Sequence, residues 1–418
     1  MLKHRRRWLA AGMIGTMALG VVARADQAQP VAAAIPELSL TQPLYAAAAP
    51  APAAATPLMA LLEQTPVGQA LDAARINVYG HIEASYTYNF MNPAKSLNIG
   101  RVFDINDNRG QVNQTDLNIE RTVDLTSHQW DIGGRVELLY GTDARFIHSD
   151  GLLDTDNFFH GPEYQFDIPQ LYVDVAVPVG NGLRIRAGKF VFFKQIDPNA
   201  SVFYSHSFTF GAALPYTLTG VSGLYVINDH WNVEVGLSRG WDQSSKDNNS
   251  TIDGFGRVRF SPSDKTSFSL AVISGPEDTH DDSHYRDAVD LTLVQSLSDN
   301  LTFLLDSVYG NDAAGSPSGT NAQWYGTSGY IVYKLSDQYS LAGRAEWYRD
   351  EEAFTTGIAQ NLFEATVGVT VTPFPSNAVA GGFKVRPEIR YDYSTRDYFN
   401  GLTRHDQLTA AVDAIFNF

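Results

Sequence analysis

The stretch Trp130-Asp131-Ile132-Gly133-Gly134-Arg135-Val136-Glu137-Leu138-Leu139-Tyr140 decides the fold. Trp130, Ile132, Gly134, Val136, Leu138 and Tyr140 share one parity; Asp131, Gly133, Arg135, Glu137 and Leu139 share the other. Successive side chains of a β-strand point to opposite faces, so this segment reads as a strand with one apolar and one charged face. The same period returns along the chain. Val78, Ile82, Ala84 and Tyr86 alternate with His81, Glu83 and Ser85; Trp231, Val233 and Val235 alternate with Asn232 and Glu234. Val385, Ile389, Tyr391 and Tyr393 alternate with Arg386, Glu388, Arg390 and Asp392. The last segment runs Leu408, Ala410, Val412, Ala414, Phe416, Phe418.

Counted this way, the periodicity predicts sixteen strands: 76–90, 112–125, 129–140, 168–179, 183–192, 216–227, 231–241, 252–260, 266–274, 286–297, 300–310, 322–335, 339–349, 360–372, 384–393 and 406–418. Their connections alternate. Long ones (91–111, 141–167, 193–215 among them) are followed by tight ones such as 126–128, 180–182, 228–230 and 336–338; only 373–383 departs from this rule. A soluble sandwich has no reason to gather its long loops at one end. An outer-membrane barrel does, and its tilted strands need about 9–11 residues to cross. Lipid admits a sheet only when it closes, because a free edge would leave backbone groups unpaired. The fold class read from the sequence is therefore all-β: a transmembrane antiparallel β-barrel of about sixteen strands, occupying 76–418. Tyr86, Tyr88, Phe90, Trp130, Tyr140, Trp231, Trp241, Tyr309, Trp347, Tyr391, Tyr393, Phe416 and Phe418 lie near strand ends, where amphipathic rings would form two interfacial girdles.

The segment ahead of the barrel reads differently. Residues 1–25 have a basic start (Lys3, Arg5, Arg6, Arg7), a fifteen-residue apolar run and Ala23-Arg24-Ala25, the pattern of a secretory signal cleaved near Ala25. Residues 26–56 are rich in Ala and Pro and read as a linker. Within 57–75, Leu58, Leu61, Leu62, Val67, Ala70 and Leu71 have near-helical spacing, which predicts a short amphipathic helix. The whole chain of 418 residues carries 30 Lys and Arg against 46 Asp and Glu; without the signal the balance is 25 against 46, or −21. That acidity argues against nucleic-acid binding. With no Cys, disulfides, thiolate metal sites and cysteine nucleophiles are excluded. The mean hydropathy of −0.18 beside 44% hydrophobic residues follows from sorting by parity.

If the apolar parity faces lipid, the charged parity faces inward. The pore-lining candidates are Arg135, Glu137, Asp174, Arg184, Arg186, Glu234, Arg257, Arg259, Arg344, Glu346, Arg386, Glu388, Arg390 and Asp392. So many ionised groups could not occupy a dry core, but they can surround water. Sixteen strands enclose a bore wide enough for an aqueous channel. This points to an outer-membrane channel for passive diffusion of small hydrophilic solutes, without a cofactor. Two features strain the pattern: Arg121 falls on the apolar parity, placing it near an interface or beside a bulge, and Leu304 and Val308 fall on the inner one.

Four segments resemble the OmpL-like β-barrel porins (beta-barrel porin-2): Asn77-Val78-Tyr79-Gly80-His81-Ile82-Glu83, Tyr140-Gly141-Thr142-Asp143-Ala144, Phe203-Tyr204-Ser205-His206-Ser207-Phe208-Thr209-Phe210 and Pro215-Tyr216-Thr217-Leu218-Thr219-Gly220. The 193–215 loop is similar to that family's aromatic loop, and inward-folded loops constrict general porins. By that analogy Lys194, Asp197, Tyr204 and His206 are constriction candidates. Terminal Phe418 resembles the aromatic signal read by the barrel-assembly machinery. The resemblance also implies contact with outer-membrane lipid and lipopolysaccharide, and leaves assembly of several copies open. The competing readings are a structural or adhesin-type barrel and a barrel-embedded hydrolase. The sequence has no H-E-x-x-H or Walker A pattern; its G-x-S-x-G, Gly236-Leu237-Ser238-Arg239-Gly240, falls within a predicted strand (231–241) rather than at a strand-to-helix elbow, and the acidic loops around Asp154, Asp104 and Asp278–His284 complete no calcium or other metal motif.

Overall fold

The computed structural model describes residues 56–154, 161–192 and 196–418. The signal and linker readings for 1–25 and 26–56 therefore lie, but for Thr56, outside the described residues. Among those residues sixteen strands close into one antiparallel barrel, each paired with its sequence neighbours and the first with the last. They are β1 (Asn77–Asn89), β2 (Arg109–Arg121), β3 (Asp131–Gly141), β4 (Gln165–Val177), β5 (Leu183–Val191), β6 (Thr217–Val226), β7 (Trp231–Ser238) and β8 (Asp253–Ser263). The second half comprises β9 (Thr266–Pro276), β10 (Tyr285–Ser296), β11 (Leu301–Asp312), β12 (Ala322–Lys334), β13 (Tyr339–Asp350), β14 (Gln360–Val371), β15 (Phe383–Ser394) and β16 (Asp406–Asn417). Closure runs from His81↔Asn417 to Asn89↔Thr409.

Tight turns are written in short polar side chains. At 227–230, 297–300 and 335–338 the same hairpin recurs: Asn228, Ser298 and Ser336 accept the N–H two residues on, at 2.9, 3.3 and 3.3 Å. Such side chains imitate a backbone turn. Two strands extend differently from the expectation because of bulges. Opposite Glu83 and Ala84, β2 carries an extra residue, so both Asn113 and Gln114 point inward. In β4 the ladder skips Ile168 and Pro169, and the strand starts at Gln165 rather than 168. Proline has no N–H to give a ladder, so a bulge is where a strand can carry it.

The faces separate as parity requires. Trp130, Ile132, Val173, Val235, Val367 and Ile389 are exposed, whereas Glu137, Asp174, Arg186, Arg257, Glu346 and Arg390 are buried. Trp241 corrects the girdle expectation: it is half-buried on the inner side, ring edge against buried Trp324 at 6.4 Å. Val308 is likewise inward, in an apolar cluster with Trp324, Tyr348 and Leu362.

The predicted single helix over 57–75 is two, α1 (Pro57–Leu62) and α2 (Pro66–Ala73), because Thr65 caps a fresh helix and Pro66 occupies its first turn. Thr65 Oγ1 accepts the Gly68 N–H at 3.0 Å. β1 overhangs β16 at its start, and Thr56 donates its hydroxyl to the Val78 carbonyl there at 3.3 Å. Arg121 is the last residue of β2, at the short-turn rim rather than mid-membrane. It pairs with Asp131 at 2.8 Å and donates to the Ala74 carbonyl at 3.1 Å, tying the end of α2 to the barrel. Arg75 holds the other Asp131 oxygen at 3.1 Å.

Candidate permeation pathway

The described part of the loop, 196–215, turns into the barrel, and the charged inner face of β13–β16 grips its backbone. Carboxylates take the N–H groups. Glu388 accepts from Tyr204 at 2.9 Å and Ser205 at 3.2 Å; Glu346 accepts from Phe208 and Thr209, both at 2.8 Å. Guanidiniums take the carbonyls. Arg344 donates to Ser205 O at 2.8 Å, Arg390 to His206 O at 2.5 Å, and Arg386 to Pro198 O and Ser201 O at 3.0 and 2.6 Å. Each arginine is also balanced by a wall carboxylate: Arg344 by Glu364 at 2.7 Å, Arg390 by Asp392 at 2.7 Å, Arg386 by Asp413 at 2.5 Å. Charge-assisted bonds of this kind are the strong ones, and burial leaves them unscreened by salt.

The loop's own side chains complete the seat. Ser207 caps the short helix α3 (Phe208–Ala212), its oxygen accepting the Phe210 N–H at 3.2 Å. Phe208, Ala213 and Leu214 pack into the inward apolar cluster, where Trp324 Nε1 donates to Ala213 O at 3.1 Å. Of the constriction candidates, Tyr204 is buried, its phenol oxygen accepting from the Gln111 and Asn113 amides at 3.2 Å. His206 lies against Phe210 with ring centroids 4.1 Å apart, and against the edge of Phe103 at 5.0 Å. Burial, followed by the nearby Arg344, Arg386 and Arg390 guanidiniums, pushes its imidazole down to about 3. Asp197 stays partly accessible, its side chain 39% exposed and 3.9 Å from His81 Nδ1. Lys194 falls outside the described residues.

The remaining candidates form a second wall on β3–β8. Arg186 makes a two-bonded pair with Asp174, 2.8 Å for each bond, with its guanidinium 3.5 Å above the Tyr172 ring. Glu234 bridges Arg184 and Arg257, both at 2.9 Å. Arg259 donates to Ser267 Oγ at 3.2 Å. Arg135 pairs with Glu137 at 2.9 Å, and Gln170 donates to the same carboxylate at 2.5 Å. All fourteen wall candidates face the interior, but five of them (Arg344, Glu346, Arg386, Glu388, Arg390) hold the loop.

Sequence periodicity missed the first long loop, which also enters the barrel. Arg101, buried there, donates to Asp392 at 2.6 Å and Thr409 at 3.0 Å, and pairs with Asp104 at 2.6 Å. Phe103 packs with Leu139, Ile147 and Ile196. A loop arginine carries no parity, so nothing local marked it.

Residues 75–418 match the family model of the beta-barrel porin-2, OmpL-like proteins. No curated protein is significantly similar in sequence. Among solved structures, the chain is similar to OprB of Pseudomonas putida at 11% identity and a TM-score of 0.57, with 85% of this chain and 97% of that one covered. It is similar to the anion-selective porin from Comamonas acidovorans at 11% identity and TM-score 0.54, covering 82% and 99%. The Salmonella typhi OmpF complex with daunomycin gives 11%, 0.53, 82% and 97%. Identities this low carry the fold alone. The family match spans most of the chain, and with the closed barrel, its inward charges and its lipid-facing apolar band it makes this protein a member of the beta-barrel porin-2, OmpL-like family of outer-membrane porins.

Proposed function

We propose that the protein is a passive conduit for small hydrophilic solutes across the outer membrane of a Gram-negative cell, rather than a catalyst. Export with cleavage near Ala25, insertion through the barrel-assembly machinery aided by Phe418, and an outer face in contact with lipid and lipopolysaccharide belong to the same reading. The observation that carries it is the inner wall. Ionised side chains point inward from strand after strand while the opposite parity is apolar and exposed. Part of this charge clamps the inward loop and the rest lines β3–β8 in pairs, as ionised groups belong beside water or in well-made pairs. The Arg184, Arg186, Arg257 and Arg259 wall would impose a field on solutes beside it.

Planar-bilayer recording of the purified barrel tests this. Stepwise, ohmic conductance is expected. A correctly inserted barrel that never conducts would favour a second reading, a structural barrel, to which one observation lends weight: Phe208, Leu214, Trp324 and Tyr348 pack as an apolar core inside the long-loop half. Reversal potentials for Arg184→Ala and Arg257→Ala then test the field; unchanged ion selectivity would remove those arginines from it.

A further inference from the structure

We propose that in the short-turn half of the barrel the solute path follows the inner faces of β9–β12 and favours small polar solutes that carry an aliphatic flank; this deepens, and rests on, the reading of the barrel as an open channel. In a one-layer wall, an inward side chain can be accessible only from the lumen. Accessibility along a single row of cross-strand partners therefore maps where the lumen is open.

One such row passes through Ser269, Thr292 and Asp306 on β9–β11 and continues through Ser328, Glu346, Glu364 and Asp392 on β12–β15. The first three are half-buried and the last four are buried. The next row toward the short-turn end behaves alike. Val294, Leu304 and Tyr330 are half-buried; Arg344, Thr366 and Arg390 are buried. The reason is the loop clamp, which covers β13–β15 and, where Thr209 Oγ1 meets Ser328 Oγ at 3.3 Å, β12 in the first row; nearer the long loops Ala271, Asp290 and Val308 are buried as well, so the open side is the short-turn half of β9–β12. Asp306 marks the meeting point, its Oδ2 lying 3.5 Å from Thr209 Oγ1 of the loop.

The open side has an unusual chemistry for a wet wall. Val294, Leu304 and Val332 present aliphatic surface to the lumen, interleaved with the Thr292 and Thr302 hydroxyls. Apolar surface facing water is stabilised by any group that covers it. A solute with a polar head and a short aliphatic side can cover this seam and still bond the hydroxyls and Asp306. A wholly polar solute of the same shape can do only the second.

Valine and threonine are nearly isosteric and make the comparison clean. In proteoliposome swelling, valine is expected to enter about threefold faster than threonine, the effect of partly covering one methyl-sized group. Leu304→Thr with Val332→Thr should bring that ratio to about one. Equal entry through the native barrel, or a ratio untouched by the substitutions, overturns the preference. The chain has no Cys, so single cysteines report the path directly. An anionic methanethiosulfonate should reduce conductance through Leu304→Cys and leave Ala411→Cys, on the covered inner side of β16, unaffected. The reverse pattern puts the path on the other wall and overturns its placement. If the native barrel conducts no ions at all, the channel reading itself falls, and this proposal with it.

Discussion

Replacing Glu346 and Glu388 together by Gln should free the inward loop. Each carboxylate offers two oxygens to two backbone N–H groups, at 2.8 and 2.8 Å for Glu346 and at 2.9 and 3.2 Å for Glu388. A glutamine keeps the shape but turns one oxygen into an NH2 group, which then faces a donor. One charge-assisted bond is lost per site, and the other is weakened by loss of the charge. A hydrogen bond to a charged group contributes about 1.5–3 kcal/mol, so the pair removes about 3–6 kcal/mol from the docked state. At roughly tenfold per 1.4 kcal/mol, the lower figure already shifts docking about 150-fold. Arg344, Arg386 and Arg390 still hold carbonyls, so either single variant should show more brief opening events and the double variant a larger mean conductance. Single-channel recording reads both, and retention of the heat-modifiable band on gels shows that the barrel has folded. A folded double variant with native conductance, native noise and an unchanged solute size limit would refute the claim that these carboxylates seat the loop.

Docking should also weaken in mild acid. His206 is held down to about 3 when docked, against an ordinary value near 6.5 when released, so between those limits the released loop binds a proton that the docked loop excludes. The stabilisation is complete above about pH 6.5 and declines on acidification by at most about 1.4 kcal/mol per unit, about 2 kcal/mol by pH 5; His206→Phe should flatten channel noise over pH 5–6.5. Gly310→Ala should destabilise the barrel by about 1–3 kcal/mol, because a Cβ there would lie 2.0 Å from the Trp324 ring; the temperature of band conversion on gels measures it, and an unshifted value would show that the ring yields. Arg121→Ala should release α2 from the rim, speeding proteolysis within 57–75 while barrel stability changes by under about 1 kcal/mol, the usual range for a partly exposed pair.

Strand number, loop alternation and the inward or outward sense of nearly every wall residue were legible in the sequence. Each is a local property: side chains alternate with a period of two whatever the rest of the chain does, and lipid and water then sort the two faces. The errors arose where the period breaks. Pro169 and the doubled Asn113-Gln114 insert bulges, and Trp241 lies just past the end of its strand, where parity no longer holds. The Thr65-Pro66 break was readable as a helix start but was hidden by the near-helical spacing of Leu58, Leu61, Leu62, Val67, Ala70 and Leu71 across it.

What parity cannot supply is what an inward residue meets. Glu388 and Ser205 are 183 positions apart, and Arg101 and Asp392 are 291 apart. Their encounters exist only because closure brings β15 beside the inward loops. The sequence determined a barrel with a charged interior. The tertiary structure decided how that charge is used: β13–β16 grip a loop, while the short-turn half of β9–β12 keeps accessible inward side chains. The physical reason is that the face a side chain occupies follows from its own backbone, whereas its partner depends on which distant segments fill the same enclosed volume.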